Sequence, residues 1–112
     1  MCLFCKIVAK QIPAKILFEE GDLLAFHDIN PAAPTHVLII PKQHLASLSD
    51  GQADHTELLG KLLLAASRAA ALTGVAQSGY RVVANTGPDA GQSVFHLHIH
   101  VLGGRAMAWP PG

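Results

Sequence analysis

A chain of 112 residues, half of them hydrophobic, can close one core and leaves little for a second, so a single domain over residues 1–112 is expected. Eight basic and eight acidic residues cancel to a formal charge of zero, which excludes the polyelectrolyte character of a DNA, RNA or lipid-surface binder and points to a small partner. No stretch reaches the roughly 20 apolar residues that span a bilayer, and Met1-Cys2-Leu3-Phe4-Cys5-Lys6 lacks the basic start and long apolar run of a signal peptide, so the cytoplasm is the expected compartment.

In chain order, Cys5 to Gln11 reads as a short helix carrying Ile7 and Val8, ended ahead of Pro13 because the residue before a proline avoids helical angles. Ile16 to Glu20 and Leu23 to Ile29 read as two strands joined at Gly21-Asp22 as a tight hairpin. Two prolines make Asn30 to Thr35 a loop, and His36 to Pro41 is a continuous apolar strand suited to the middle of a sheet. A long helix is expected from about Asp54 to Thr73, with Asp54 and Glu57 spaced as a capping box and Gly74 placed to end it. Leu59, Leu62, Leu63, Ala66 and Ala70 would pack it on the sheet, while Leu64 shares a side with Lys61 and Arg68 and is expected to be partly exposed, a candidate for a subunit interface. Tyr80 to Asn85 is a further strand, Thr86 to Ser93 a glycine-rich loop, and Phe95 to Leu102 a last strand. The order describes an α+β fold, a mainly antiparallel five-stranded sheet with one long helix and a short N-terminal helix.

The last strand holds the chemistry. Side chains alternate along a strand, so His96, His98 and His100 line one face while Leu97, Ile99 and Val101 pack on the other. A rise of about 3.3 Å per residue sets the outer two Cα atoms roughly 13 Å apart, too far for all three imidazoles to ligate one metal ion, so the three must divide their labour. Neutral imidazole is a good nucleophile near neutral pH, and His98, in the middle, is the natural attacker at phosphorus. Glycines in the preceding loop let the backbone approach a ligand, and successive N–H groups there would make an anion cradle. A lone histidine in such a place is more often a half-buried residue bonded to backbone carbonyls, and a lone glycine-rich turn more often only a hairpin; three histidines in alternation directly after the loop favour a site.

Cys2 and Cys5 have the two-residue spacing of paired thiolate ligands, but two cysteines cannot close a tetrahedral site, and free thiols are the alternative. A redox dithiol would want a strand ahead of the motif, and there is no room for one.

His96-Leu97-His98-Ile99-His100 resembles the histidine triad motif, and the chain as a whole resembles the Hint branch of the histidine triad (HIT) nucleotide-binding superfamily. Ile12-Pro13-Ala14-Lys15, Ala25-Phe26-His27-Asp28-Ile29, Ala33-Pro34-Thr35-His36, Ile40-Pro41-Lys42, Gly91-Gln92-Ser93-Val94 and Trp109-Pro110-Pro111-Gly112 fit its pattern in order. The resemblance implies a homodimer that hydrolyses purine nucleoside phosphoramidates to an amine and a nucleoside monophosphate. His98 would carry a nucleotidyl intermediate; Asn85, Gly91, Ser93, Val94 and His100 would hold the phosphate or leaving group, with His36 on the same side. Asp28 would accept the ribose hydroxyls beside Ile29, although by itself it reads as a turn-capping carboxylate. The purine would lie among Leu3, Phe4, Ile7 and Leu38, any of which could equally be ordinary core. Some members bind zinc through such a cysteine pair with two histidines, here His44 and His96; that zinc would be structural, with no cofactor needed for the chemistry. Trp109 would pin the tail or reach the partner's site. Alternatives are a dinucleoside polyphosphate hydrolase, which the Trp-Pro-Pro-Gly ending and Ser93 disfavour, and a nucleotide-binding regulatory module with incidental hydrolysis.

Overall fold

The structure, a computed structural model, describes residues 2–112. Its elements are α1 (Leu3–Val8), β1 (Ile16–Glu20), β2 (Leu23–His27), β3 (Thr35–Pro41), α2 (Thr56–Leu72), β4 (Tyr80–Val83) and β5 (Ile99–Gly103), with short 3-10 turns at Leu48–Asp50 and Ala53–His55. The five strands form one sheet in the order β1-β2-β3-β5-β4, and every neighbouring pair is antiparallel.

Each face of the sheet is closed differently. On one face α2 lays Leu62, Ala65, Ala66, Ala69 and Ala70 against Leu23, Ala25, Val37, Ile39, Leu97, Ile99 and Val101. Alanine at four of those five helix positions lets the helix axis come close to the sheet. Beyond the helix, Val75 presses on Gly103 of β5, where even a methyl group would stand 2.8 Å from the valine Cβ. On the opposite face α1 contributes Phe4 and Ile7 to a smaller cluster with Leu24, Phe26, Leu38 and Ile40. Among the described residues no helix is long and apolar enough to cross a membrane.

Several boundaries differ from those the sequence suggested, each for a local reason. α1 starts at Leu3, two residues early, because the Cys2 sulfur caps it by accepting from the Cys5 N–H at 3.2 Å. It stops at Val8, well before Pro13, where Lys10 takes a left-handed turn (φ 62°) and the Gln11 N–H closes back on the Lys6 carbonyl. The expected capping box of Asp54 and Glu57 does not form: the chain makes a 3-10 turn first, the Gln52 N–H donates to His55 Nδ1 at 2.9 Å, and α2 begins at Thr56. Leu59 packs half-buried on the core as expected, but Leu63 lies a quarter turn outside the stripe centred on Leu62 and Ala66 and is 62% exposed. Leu64 is exposed as anticipated. β2 ends at His27 and β4 at Val83, each two residues short of the expected end.

β5 enters the ladder only at Ile99 rather than at Phe95. In register, Ile39 opposes Ile99, so Leu97 would face Pro41, which has no N–H to give; the Leu97 N–H turns instead to the Leu45 carbonyl. The segment stays extended, and the alternation survives: Leu97 packs under α2 while His96 and His98 face α1.

Candidate active site and metal centre

Antiparallel pairing puts directly opposed residues on one face. His100 opposes Leu38 and His36 opposes Leu102, so His36 and His100 emerge side by side from β3 and β5, with Asp28 just past the end of β2 on the same face. His36 Nε2 lies 2.9 Å from His100 Nδ1 and 3.5 Å from Asp28 Oδ2. The Ala32 N–H donates to His36 Nδ1 at 3.0 Å, so the His36 proton sits on Nε2 and is donated to His100 Nδ1. The neutral His100 ring therefore carries its proton on Nε2, a buried atom without a partner among the described residues.

His98 is oriented the other way. Its Nδ1 is 2.7 Å from the His96 carbonyl, an acceptor only, which places the proton on Nδ1 and leaves the Nε2 lone pair bare. The Phe4 ring meets the His98 ring edge-on, with centroids 5.1 Å apart, and His100 meets it at 5.0 Å, so the ring is held between two others. A bare Nε2 on His98 beside a protonated, orphaned Nε2 on His100 is a nucleophile next to a hydrogen-bond donor.

Burial keeps the supporting histidines neutral. It pushes His100 down to about 4, helped by the charges that His98 and His36 would carry and opposed by Asp28. Burial also lowers His36, against the Asp28 carboxylate. Neither ring competes for a proton at neutral pH, so the pair offers hydrogen bonds and a proton path rather than fixed charge.

The remaining expected ligand residues divide. Phe4, Ile7 and Leu38 are buried together, whereas Leu3 is half exposed and stands outside their cluster. Val94 packs partly buried on the same cluster, Ser93 and Gly91 are exposed, and Asn85 is half-buried. Ile29 is 88% exposed, open to a ligand and touching little of the protein. Asp28 is a turn cap through Oδ1, which accepts from the Asn30 N–H at 2.8 Å, while Oδ2 remains turned toward His36.

The glycine loop is tighter than an open cradle. The Gly91 N–H is spent on the Pro88 carbonyl and that of Gln92 on Gly87, and the Gly87 N–H donates to Gln92 Oε1 at 2.9 Å. Gln92, a residue that periodicity does not mark, is the keystone: buried, its Nε2 also donates to the carbonyls of Ala46 (2.8 Å) and Val94 (3.1 Å). Its place inside the Gly91-Gln92-Ser93-Val94 match was the one available signal.

Cys2, Cys5, His44 and His96 converge beneath this site, although they come from the chain's first residues, the loop after β3 and the segment before β5. His96 Nε2 donates to the Pro41 carbonyl at 2.8 Å, so its Nδ1 presents a lone pair to the cluster. Sulfur-to-nitrogen separations run from 3.4 to 3.6 Å, and the two Nδ1 atoms are 3.2 Å apart. A tetrahedral zinc with usual Zn–S and Zn–N bonds has edges of about 3.5 Å and about 3.3 Å, so these four groups fit it. The His44 and His96 ring centroids, 4.9 Å apart at 81°, are too close for the nitrogens to point at each other; they aim at a common point. Burial and the facing Cys2 sulfur push the Cys5 thiol up, which a cation held between the sulfurs would reverse.

Asp28, His36 and His100 also bring ligand-type atoms together. Here the centroid separation of 5.2 Å equals the N···N distance plus one ring radius on each side. The two nitrogens therefore face each other along a hydrogen bond, and no ion fits between them. On the far side of the sheet, a groove between the β1–β2 hairpin and α2 is bounded by Phe18, Glu20, Asp22, Leu64 and Arg68, remote from the histidines.

A five-stranded antiparallel sheet backed by one long helix and carrying alternate histidines into its last strand is the arrangement of a histidine triad fold. The HIT domain model matches residues 9–107, and the chain belongs to that family. An uncharacterized HIT-like protein of Synechococcus elongatus is 54% identical over 110 residues, covering 98% of this chain and 96% of that one. A 14 kDa zinc-binding protein of Zea mays is 51% identical over 112 residues, covering 98% and 87%. The crystal structure of a HIT family hydrolase from Legionella pneumophila superposes with a TM-score of 0.97 at 51% identity and full coverage of both chains.

Proposed function

We propose that the chain, as one HIT domain over residues 1–112, is a Hint-type nucleotidyl hydrolase acting on purine nucleoside phosphoramidates through a nucleotidyl-His98 intermediate. One observation carries the reading: His98 Nδ1 lies 2.7 Å from the His96 carbonyl, which leaves Nε2 as the bare nitrogen of a ring whose centroid is 5.0 Å from that of His100, the residue with the unpartnered Nε2. The name of the Legionella hydrolase agrees with hydrolysis.

In the first step His98 Nε2 bonds to phosphorus as the P–N bond breaks. The amine leaves with the His100 Nε2 proton while His100 Nδ1 takes the proton of His36 Nε2, and His36 is reprotonated from solvent on the Asp28 side. In the second step water adds to phosphorus, the P–Nε2 bond breaks, and the proton chain runs backward, so the proton taken up is released. Ser93, Val94 and Asn85 support the phosphate, with Gly91 supplying the turn that presents them; the His100 donor meets charge developing on the phosphoryl or leaving group. Asp28 and Ile29 flank the ribose, and Leu3 with the rims of Phe4, Ile7 and Leu38 receives the purine.

Cys2, Cys5, His44 and His96 would hold a structural zinc, in keeping with the name of the maize relative. With four protein ligands the centre would be closed; zinc bound there would fasten the N-terminal segment, and no cofactor takes part in making or breaking bonds. The protein works as a homodimer in the cytoplasm, with neither nucleic acid nor membrane as partner. The outer strand β4 with exposed Tyr80 and Val82, and exposed Leu63 and Leu72 on α2, supply apolar surface for the second copy.

The test is turnover of an adenosine 5′-phosphoramidate bearing a reporter amine by the wild type and His98→Ala, with a dinucleoside polyphosphate as competing substrate. Release of amine and nucleoside monophosphate by the wild type alone is expected. Two folded proteins that bind nucleotide and turn over nothing would make it a regulatory module, and preference for the dinucleotide would move it to that branch.

A further inference from the structure

His96 does three things at once. Its ring is 0% exposed; Nε2 donates to the Pro41 carbonyl, Nδ1 faces the Cys2, Cys5 and His44 ligand atoms, and its carbonyl accepts the His98 Nδ1 proton. The group that fixes the nucleophile's tautomer thus belongs to a metal-centre residue. A second path runs through α1. Cys2 and Cys5 bracket Phe4, and the Phe4 ring packs edge-on against His96 at 6.0 Å and His98 at 5.1 Å. α1 is six residues long, too short to hold itself in water; burial of Phe4 and Ile7 with Leu24, Phe26, Leu38 and Ile40 is one hold on it, and whatever ties Cys2 and Cys5 to His44 and His96 is a second, bracketing the Phe4 ring against His98.

We infer that the Cys2/Cys5/His44/His96 centre is a positioning device for the nucleophile: when filled by a divalent zinc-group ion, it holds His98 in the Nδ1–H tautomer with Nε2 aimed at the substrate phosphorus. His96 and Phe4 are positioning residues, acting on His98 without touching the reacting atoms. Had zinc served only to staple the N-terminus, its loss would cost stability and leave the nucleophile as it was. Here the loss frees the His96 ring from one of its two anchors. The His96 carbonyl that accepts from His98 Nδ1 then shifts with it, and the neutral imidazole is released to populate both tautomers.

This inference rests on the role proposed for His98, and its test separates the two. Imidazole 15N spectra at pH 7.5 report the tautomer directly. They are recorded for zinc-loaded protein, for protein stripped with a chelator, for His44→Asn, and for protein with Cd2+ in place of Zn2+, which keeps the fold while lengthening every bond to the centre. The loaded protein should show His98 wholly as the Nδ1–H form. Stripping and His44→Asn should each mix or broaden the His98 signals, and Cd2+ should displace them. In turnover, kcat should fall tenfold or more on stripping while KM changes less than threefold, and readdition of zinc should restore both spectrum and rate. If Cd2+ or stripping moves the His44 and His96 signals and leaves those of His98 unchanged, the inference is overturned, even should melting temperature fall. If the spectra respond as stated but no phosphoramidate is hydrolysed by the loaded protein, the coupling stands and the proposed reaction fails.

Discussion

Replacing His100 with glutamine should flatten the acid limb of the protein's stability. The folded ring titrates at about 4 because burial and the neighbouring His98 and His36 oppose its charge, against 6.5 for the free side chain. Above pH 6.5 the ring is neutral in both folded and unfolded chains and contributes no pH dependence. As the pH falls from 6.5 to about 4, the unfolded chain binds a proton that the folded one refuses, so unfolding gains ground throughout that window and no further below it. A gap of about 2.5 pKa units at 1.36 kcal/mol each amounts to about 3 kcal/mol. Glutamine keeps an acceptor for the His36 Nε2–H and cannot titrate. Urea unfolding of metal-stripped wild type and His100→Gln at pH 7.5, 6, 5 and 4 measures the difference. The wild type should lose about 3 kcal/mol more than the variant over this range, with a slope near 1.4 kcal/mol per pH unit around pH 5. His36 and His96 are also lowered by burial but are present in both proteins, so they cancel. Parallel curves would mean that His100 is solvated or paired in solution, and the orphaned Nε2–H on which the proton path depends would be lost with it.

Gln92→Ala removes three hydrogen bonds and strands the Gly87 N–H, so it should cost about 2–3 kcal/mol in urea unfolding and reduce kcat/KM through the displaced Ser93 and Val94. Gly103→Ala drives a methyl to 2.8 Å from the Val75 Cβ, which should cost about 1–3 kcal/mol; adding Val75→Ala removes the Cγ contacts at 2.9 and 3.0 Å but keeps that Cβ, so it should recover only part of the lost melting temperature, whereas Val75→Thr, which keeps both branches, should recover none. Cys5→Ser should reduce zinc from stoichiometric to trace by atomic absorption, since three ligands of a closed tetrahedral site remain and the caught helix α1 frays. Tyr80→Lys places a charge on the outer strand and should shift sedimentation from dimer to monomer.

The strands were legible because their patterns are simple. β1 and β3 fall within one residue of the expected ranges, and the Gly21-Asp22 turn joins β1 to β2 as a hairpin. Helix ends were less so, since a thiol at Cys2 is an unusual cap and the His55 ring displaced the Asp54/Glu57 pair. Leu63 was misjudged because leucines at positions 58, 59, 62, 63 and 64 cover too much of the helix circumference to reveal which arc is buried. The role of Gln92 had no periodic signal, because a single polar residue in a loop has no period; the family match placed the residue, and its distant partner at Ala46 shows what it does. Cys2 and Cys5 are marked by their spacing, but their partners His44 and His96 were nameable only through family resemblance, as 94 residues separate Cys2 from His96.

Protonation states were beyond any sequence pattern, because each depends on an atom delivered by register. His36 is set by the Ala32 N–H, His96 by the Pro41 carbonyl, His98 by a carbonyl two residues before it, and His100 by His36 across the β3–β5 pair. A slip of one residue in that pairing would send His100 from the side of Leu38 to that of Val37 or Ile39, onto the face packed by the alanines of α2. There the ring would be buried without a partner, and Ile99 and Val101 would be pushed outward, so the same apolar pattern that fixes the register also fixes which nitrogen of each histidine is bare. Core and chemistry are in this sense one constraint: the hydrophobic residues between the histidines select the pairing, and the pairing assigns the protons.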